Sequence, residues 1–239
     1  MVDLSTFKDW IKGNIDGDNF AITVRNHYFP EIWYIVEAFF SLSTEKTVLD
    51  LGCGNGLIAE AMAKSGWNVT CVDSMVECLL KTQERFSHSE LEGRFEQAHP
   101  EELPFGNESF NHVVCINLLE ATGSRTRTLR EIHRVLKPGG TAVITTIANM
   151  SQWSRSSLVR NLRMESKSDD CRFYSKKEFV KMLLKERFKI DRLKGCARYM
   201  PSSGTKKINM PIIGAYTALV TKPHTSTSSS PNEETQMNS

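Results

Sequence analysis

Two aspartates and a run of glycines are spaced as a nucleoside site requires. Residues 47–51 form a short apolar strand pattern ending in Asp50-Leu51, and Gly52-Cys53-Gly54-Asn55-Gly56 follows at once. Glycines at such a turn let the backbone reverse sharply and let a ligand come close to the main chain. Asp73 closes the next strand-like stretch, 67–72, and stands 19 residues beyond Gly54. An acidic group there can accept hydrogen bonds from both ribose hydroxyls, and a spacing of about twenty suits a nucleoside-binding βαβ unit. The glycine pattern is G-x-G-x-G, and Leu57 occupies the third position of the dinucleotide fingerprint. The triphosphate pattern G-x-x-x-x-G-K-[ST] does not occur, so the site reads as one without a pyrophosphate to cradle.

Holding these residues in place takes alternating strands and helices. Beyond the first two strands, the pattern predicts strands at 94–98, 113–116, 142–147, 188–193 and 215–221. Between them lie helices at 57–65, ended by Gly66, and at 76–86. Another helix, 125–136, puts Leu129, Ile132, Val135 and Leu136 on its buried side and stops at Pro138-Gly139-Gly140. Ser175-Lys176-Lys177-Glu178 is a capping box that opens a helix running to about Glu186. This alternation predicts a mostly parallel α/β sheet. Two helical stretches precede it: one carries Leu4, Phe7, Trp10 and Ile11, the other Ile32, Ile35, Val36 and Phe39 after Pro30. The polar stretch 148–172 interrupts the pattern, and the Ser/Thr/Asn/Glu-rich end, 223–239, reads as a disordered tail.

Composition narrows the class. The chain has 239 residues, 40% hydrophobic and 24% charged, which excludes collagen-like, coiled-coil and wholly disordered proteins. No apolar run approaches a membrane span, and the first twelve residues lack a signal-peptide pattern. Six scattered cysteines without a C-x-x-C pair point to free thiols in a reducing cytoplasm, with no metal-ligand spacing. Net charge is only +2 but uneven: residues 1–100 hold 8 Lys/Arg against 15 Asp/Glu, and residues 151–200 hold 14 against 6. Such a basic region is either a solvated face or a docking surface.

Five ordered blocks carry a resemblance: VLDLGCGNG (48–56), VTCVD (69–73), EELPFGNESFNHVV (101–114), LLEA (118–121) and LREIHRVLKPGG (129–140). With them the chain resembles the class I S-adenosylmethionine (SAM)-dependent methyltransferases, in the small-molecule branch typified by ubiquinone and menaquinone biosynthesis enzymes. The resemblance implies a Rossmann-like seven-stranded, mostly parallel sheet with an antiparallel last strand, helices on both faces and an N-terminal helical lid. It implies a lid over 1–44, a methyltransferase domain over 45–222 with a substrate-cap insertion at 148–172, and a tail from 223. SAM is the implied cofactor. Asp50, Gly52 and Gly54 would line its methionine end, with Cys53 and Gly56 in the same loop. Asp73 would bind the ribose, Ser74 and Met75 would pack beside the adenine, and Asn117 and Leu118 would lie near the sulfonium.

Three positions depart from the family pattern. His99-Pro100 replaces an acidic-small pair that helps hold adenine. Proline has no amide hydrogen to donate, which leaves His99 as a candidate contact. Ala121 stands where Leu-Glu-His would end, and Asn111 stands where Asp is usual. Candidate catalytic groups are His27 and Tyr28 in the lid and Glu120, which either faces the cleft or caps a turn. His88, His112 and His133 read as structural or incidental. Asn149, Trp153 and Arg155 are candidate pocket residues, unless 148–172 is a solvated connector. No [DNS]-P-P-[FYW] and no Pro-Cys occurs, which disfavours methylation of nucleic-acid bases. The expectation is a cytoplasmic enzyme that methylates a small organic molecule, at oxygen first, then carbon or nitrogen. Alternatives are RNA or protein methylation through 151–200, or SAM binding without chemistry. No oligomeric state is legible in the sequence.

Overall fold

The computed structural model describes residues 33–38, 40, 43–148, 174–197 and 213–224. Residues 33–38 are helical. The elements that follow are β1 (Thr47–Leu51), α1 (Leu57–Lys64), β2 (Asn68–Asp73), α2 (Val76–His88) and β3 (Arg94–Gln97). After them come β4 (Phe110–Cys115), α3 (Arg125–Val135), β5 (Leu136–Ile147), α4 (Lys176–Lys185), β6 (Lys189–Ala197) and β7 (Ile213–Thr221). They build one seven-stranded sheet in the order β3-β2-β1-β4-β5-β7-β6. β7 runs antiparallel to both β5 and β6, and the other pairings are parallel. From β1 the chain winds outward to β2 and β3, then returns to place β4 and β5 on the other side. Strand order therefore reverses between β1 and β4, where ligands bind in open α/β sheets.

Both faces of the sheet are covered, so its strands are apolar on both sides. Successive residues of a strand point to opposite faces. Val48, Val69, Val114 and Val143 pack with Met62 of α1, Phe86 of α2 and Trp33, Val36 and Phe40 upstream. Leu49, Leu51, Val113 and Ile144 pack on the other face with Leu129 and Ile132 of α3 and Phe179 and Leu183 of α4. His112 belongs to the first layer. Its ring packs tilted against Phe40 at 4.5 Å and lies edge-on to Trp67 at 5.3 Å. Its Nδ1 meets Thr141 Oγ1 at 2.8 Å and its Nε2 meets Ser43 Oγ at 2.9 Å, so it ties the chain ahead of β1 to β4 and β5.

The main departure from the sequence pattern is at the start of β5. Pro138-Gly139-Gly140 reads as a helix stop, yet α3 ends at Val135 and β5 begins at Leu136. Leu136 pairs with Phe110, and the next pair is His112 with Thr141, so the glycines lie in a bulge. Gly139 takes the left-handed region (φ 76). A Cβ on Gly140 would meet Lys137 O at 2.8 Å and Asn111 O at 2.9 Å, so only glycine fits. The last two strands also extend beyond their apolar runs, because β6 and β7 support each other through backbone pairing. The expected helix over Leu4–Ile11 lies outside the described residues, as do residues 225–239.

Candidate cofactor site

β1 ends against β2, and the glycine loop leaves from that junction. Gly52 N and Cys53 N both donate to Val72 O, at 2.7 and 3.1 Å. Gly52 and Gly56 have φ of 73 and 76, the region that favours glycine. Space enforces the same choice. A Cβ on Gly52 would lie 2.9 Å from Leu118 Cδ1, and one on Gly56 would lie 2.6 Å from Thr82 Cγ2. The first contact locks the loop to the end of β4, and the second locks it to α2.

Asp73 closes β2 in half-buried surroundings. Its Oδ2 accepts from Gly54 N and its Oδ1 from Met75 N, both at 3.0 Å. The carboxylate thus joins the glycine loop to the start of α2 and retains lone pairs for two hydroxyl donors. Ser74 and Met75 are exposed beside it, with Met75 51% accessible. Gln97 Nε2 donates to Ser74 O at 3.1 Å, fixing the rim toward β3. His99 is exposed past the end of β3, Pro100 is buried, and a turn is closed by Glu102 N donating to His99 O.

Beneath the loop the polar groups are buried. Asp50 is 2% exposed. Cys53 and Cys71 are buried, and neither forms a disulfide. A hydrogen bond with Cys53, burial and the charge of Asp50 all push the Cys71 thiol up, so it stays protonated and is no nucleophile. Asn55 Oδ1 is buried with no hydrogen-bond partner among the described residues.

The facing wall follows β4. Asn117 takes a positive φ of 49, which asparagine tolerates. Its N–H donates to Thr145 Oγ1 at 2.9 Å, and Thr145 Oγ1 donates back to Asn117 Oδ1 at 2.8 Å. Leu118 is half-buried against Gly52, and Ala121 is exposed. Glu120 is buried. Its Oε1 accepts from Thr146 Oγ1 at 2.6 Å and from Ile147 N, while Oε2 has no partner among the described residues. Burial raises its pKa despite those donors and the nearby Arg125. Ala148 bridges to Tyr174 just beyond, and the Arg125 guanidinium lies over the Tyr174 ring at 5.7 Å. Glu120 therefore secures the end of β5 beside the Ala148–Tyr174 bridge.

The structure brings together Asp50, Gly52, Cys53, Gly54, Gly56, Asp73, Ser74 and Met75 at one end of β1 and β2, with Asn117 and Leu118 opposite. His27, Tyr28, Asn149, Trp153 and Arg155 lie outside the described residues. Sequence reasoning missed Thr82 and Arg85, which hydrogen-bond to the loop, and Thr145 and Thr146, which hydrogen-bond to Asn117 and Glu120, because no motif marks them. SAM fits the donor set. The loop excludes side chains at Gly52 and Gly56, Asp73 offers acceptors for a ribose, and Asn55 Oδ1 offers a buried acceptor within the loop.

Residues 48–140 match the family model described as a methyltransferase domain. The ubiquinone biosynthesis O-methyltransferase of Pseudomonas entomophila is 36% identical over 106 residues, covering 43% of this chain and 44% of that protein. The Rickettsia akari protein of the same name is 26% identical over 167 residues, covering 68% and 66%. The chain thus spans under half the length of the Pseudomonas relative. A SAM-dependent methyltransferase of Methanosarcina mazei superposes with a TM-score of 0.61 at 22% identity, over 80% of this chain and 97% of that one. The [4+2]-cyclase SpnF superposes with a TM-score of 0.66 at 16% identity, over 92% of each chain. Residues 48–140 are thus similar to a methyltransferase domain, and the sheet has the fold of the solved SAM-dependent methyltransferase.

Proposed function

We propose that this protein transfers a methyl group from SAM to an oxygen of a small organic molecule. One observation carries the reading: within the matched methyltransferase domain, Asp73 and the glycine loop form a single hydrogen-bonded unit at the sheet's switch point. The oxygen acceptor is supported by relatives named ubiquinone biosynthesis O-methyltransferase. The fold alone is not decisive, because SpnF shares it and is a cyclase.

When bound, SAM supplies an electrophilic methyl on a sulfonium, displaced in line with a neutral thioether as leaving group. The chain's task is alignment and exclusion of water. Asp73 holds the ribose, the loop at Gly52–Gly56 holds the methionine end, and Ser74 and Met75 flank the adenine, with His99 as its replacement contact. Asn117, held by Thr145, and Leu118 shape the wall facing the reacting methyl. Orientation of this kind supplies roughly 7–11 kcal/mol of a barrier. Deprotonating a hydroxyl acceptor adds about 10²–10⁴-fold, and His27 and Tyr28 are the groups assigned to it. Glu120 is assigned a positioning role, since Thr146 and Ile147 engage its Oε1.

A second reading, methylation of a macromolecule, is favoured by one feature. Lys176, Lys177, Lys181 and Lys185 of α4 and Lys189, Arg192 and Lys194 of β6 are all exposed. The test incubates the purified protein with methyl-labelled SAM and fractionated cell extract, with Asp73→Ala as control. Label in a low-mass product, lost with the variant, is the expected result. Label in RNA or protein would replace the proposal with the second reading. Equal labelling by the variant would remove Asp73 from the site.

A further inference from the structure

We propose that Thr82 and Arg85 of α2 are positioning residues for the cofactor loop, a role that rests on reading this loop as the SAM site. They stand one helical turn apart and so face the same way. Thr82 Oγ1 donates to Gly54 O at 2.9 Å, and Arg85 Nε donates to Asn55 O at 2.8 Å. The neighbouring carbonyls are also taken: Cys53 O accepts from Gly56 N at 3.0 Å and Gly56 O from Glu60 N at 2.8 Å. Four consecutive loop carbonyls are thereby satisfied from inside the protein.

Peptide planarity gives this a consequence for binding. In a trans peptide the C=O and the following N–H point in opposite directions, and the described chain has no cis bonds. Holding Gly54 O toward α2 turns the Asn55 N–H away from it, out of the loop. The clamp thus presents an amide rather than a carbonyl to an incoming carboxylate. The amino-acid part of SAM carries that carboxylate, while its adenosine part is held by Asp73.

Both clamps are themselves fixed. Thr82 is buried, packs against Gly56 and also reaches Cys78 O at 3.0 Å, so its single proton is shared between two carbonyls. Arg85 Nη1 donates to Glu60 Oε2 at 3.0 Å. Glu60 is 2% exposed, and its other oxygen accepts from Lys64 at 2.8 Å and Ser89 at 2.6 Å. Burial opposes its charge, but these three donors outweigh burial and hold the carboxyl below its usual pKa. Arg85 is therefore anchored by a permanent anion and aims its Nε at the loop.

The test measures binding of S-adenosylhomocysteine and of 5′-methylthioadenosine, which lacks the amino-acid carboxylate, by calorimetry. Thr82→Val should weaken the first ligand about 5-fold and Arg85→Met about 10-fold, with 5′-methylthioadenosine unchanged within about 2-fold. Arg85→Lys should fall between wild type and Arg85→Met. Should Arg85→Met fail to fold, Thr82→Val carries the test alone. Unchanged binding of both ligands by Thr82→Val, or equal weakening of both, overturns the proposal. A wild-type protein that binds neither ligand overturns the cofactor reading beneath it, a different result from either.

Discussion

Among the described residues, two buried side chains carry pH signatures of opposite sign. Burial lowers the pKa of His112 to about 4, although a backbone carbonyl at Glu45 works against the shift. Between pH 6.5 and about 4 the unfolded chain binds a proton that the folded chain rejects. Stability should therefore fall as pH drops through that window, by about 3 kcal/mol in all. Urea midpoints across pH 4–7 for wild type and His112→Gln measure this, and the variant should lose most of the slope. Glu120 behaves oppositely. Its raised pKa means the folded state keeps a proton that the unfolded state has released, so stability falls as pH rises above about 4.5. Glu120→Gln preserves an acceptor for Thr146 and Ile147 and cannot ionise. Its urea midpoint at pH 8 should equal or exceed that of wild type; a clear loss would mean that the charged carboxylate is stabilising. Of these two, the sequence left Glu120 divided between cleft and cap and treated His112 as incidental. Neither burial nor partners from β5 can be read locally.

Among the elements, α4 shows how far local chemistry reaches. Ser175 Oγ accepts from Glu178 N, and Glu178 Oε2 accepts from Ser175 N at 2.8 Å, completing the box legible in the sequence. Phe179 and Leu183 then bury against the sheet. Ser175→Ala should cost about 1 kcal/mol in urea unfolding, and Ser175→Asp should recover most of it. Helix starts and the first three strands fell within a residue or two of expectation because caps, glycines and apolar runs are local signals, whereas β4 began at Phe110, three residues before its expected start. β5 began earlier than its apolar run, since backbone pairing with Phe110 places Leu136 in the sheet. The bulge at Gly139 and Gly140 depends on Lys222, which donates its N–H to Gly140 O and accepts from Gly139 N from 82 or more residues away. No window of sequence contains both partners.

Across the whole molecule, the charge asymmetry acquires a location. The exposed lysines of α4 and β6 lie at the far end of the sheet from β2 and Asp73. β6 is an edge strand, and Lys189 and Lys194 on it discourage pairing with another chain. The triple reversal Lys177→Glu, Lys181→Glu and Lys185→Glu should leave turnover of a small acceptor within about 2-fold, because isolated surface changes matter little. A large loss that grows at low salt would instead favour a polyanionic acceptor. Among the described residues, no helix is long and apolar enough to cross a membrane.

By itself the sequence determined the α/β class, the strand that carries the glycine loop, and Asp73 as its partner. Those features are set by spacing along the chain: period-two and helical patterns, glycines at a turn and an acid about twenty residues on. The tertiary structure decided which residues serve the loop. Thr82 and Arg85 lie 28 and 30 residues from the carbonyls they hold, and Thr145 lies 28 residues from Asn117. Hydrogen bonds between elements depend on how the helices and strands pack, and packing brings these partners together only after the sheet has formed.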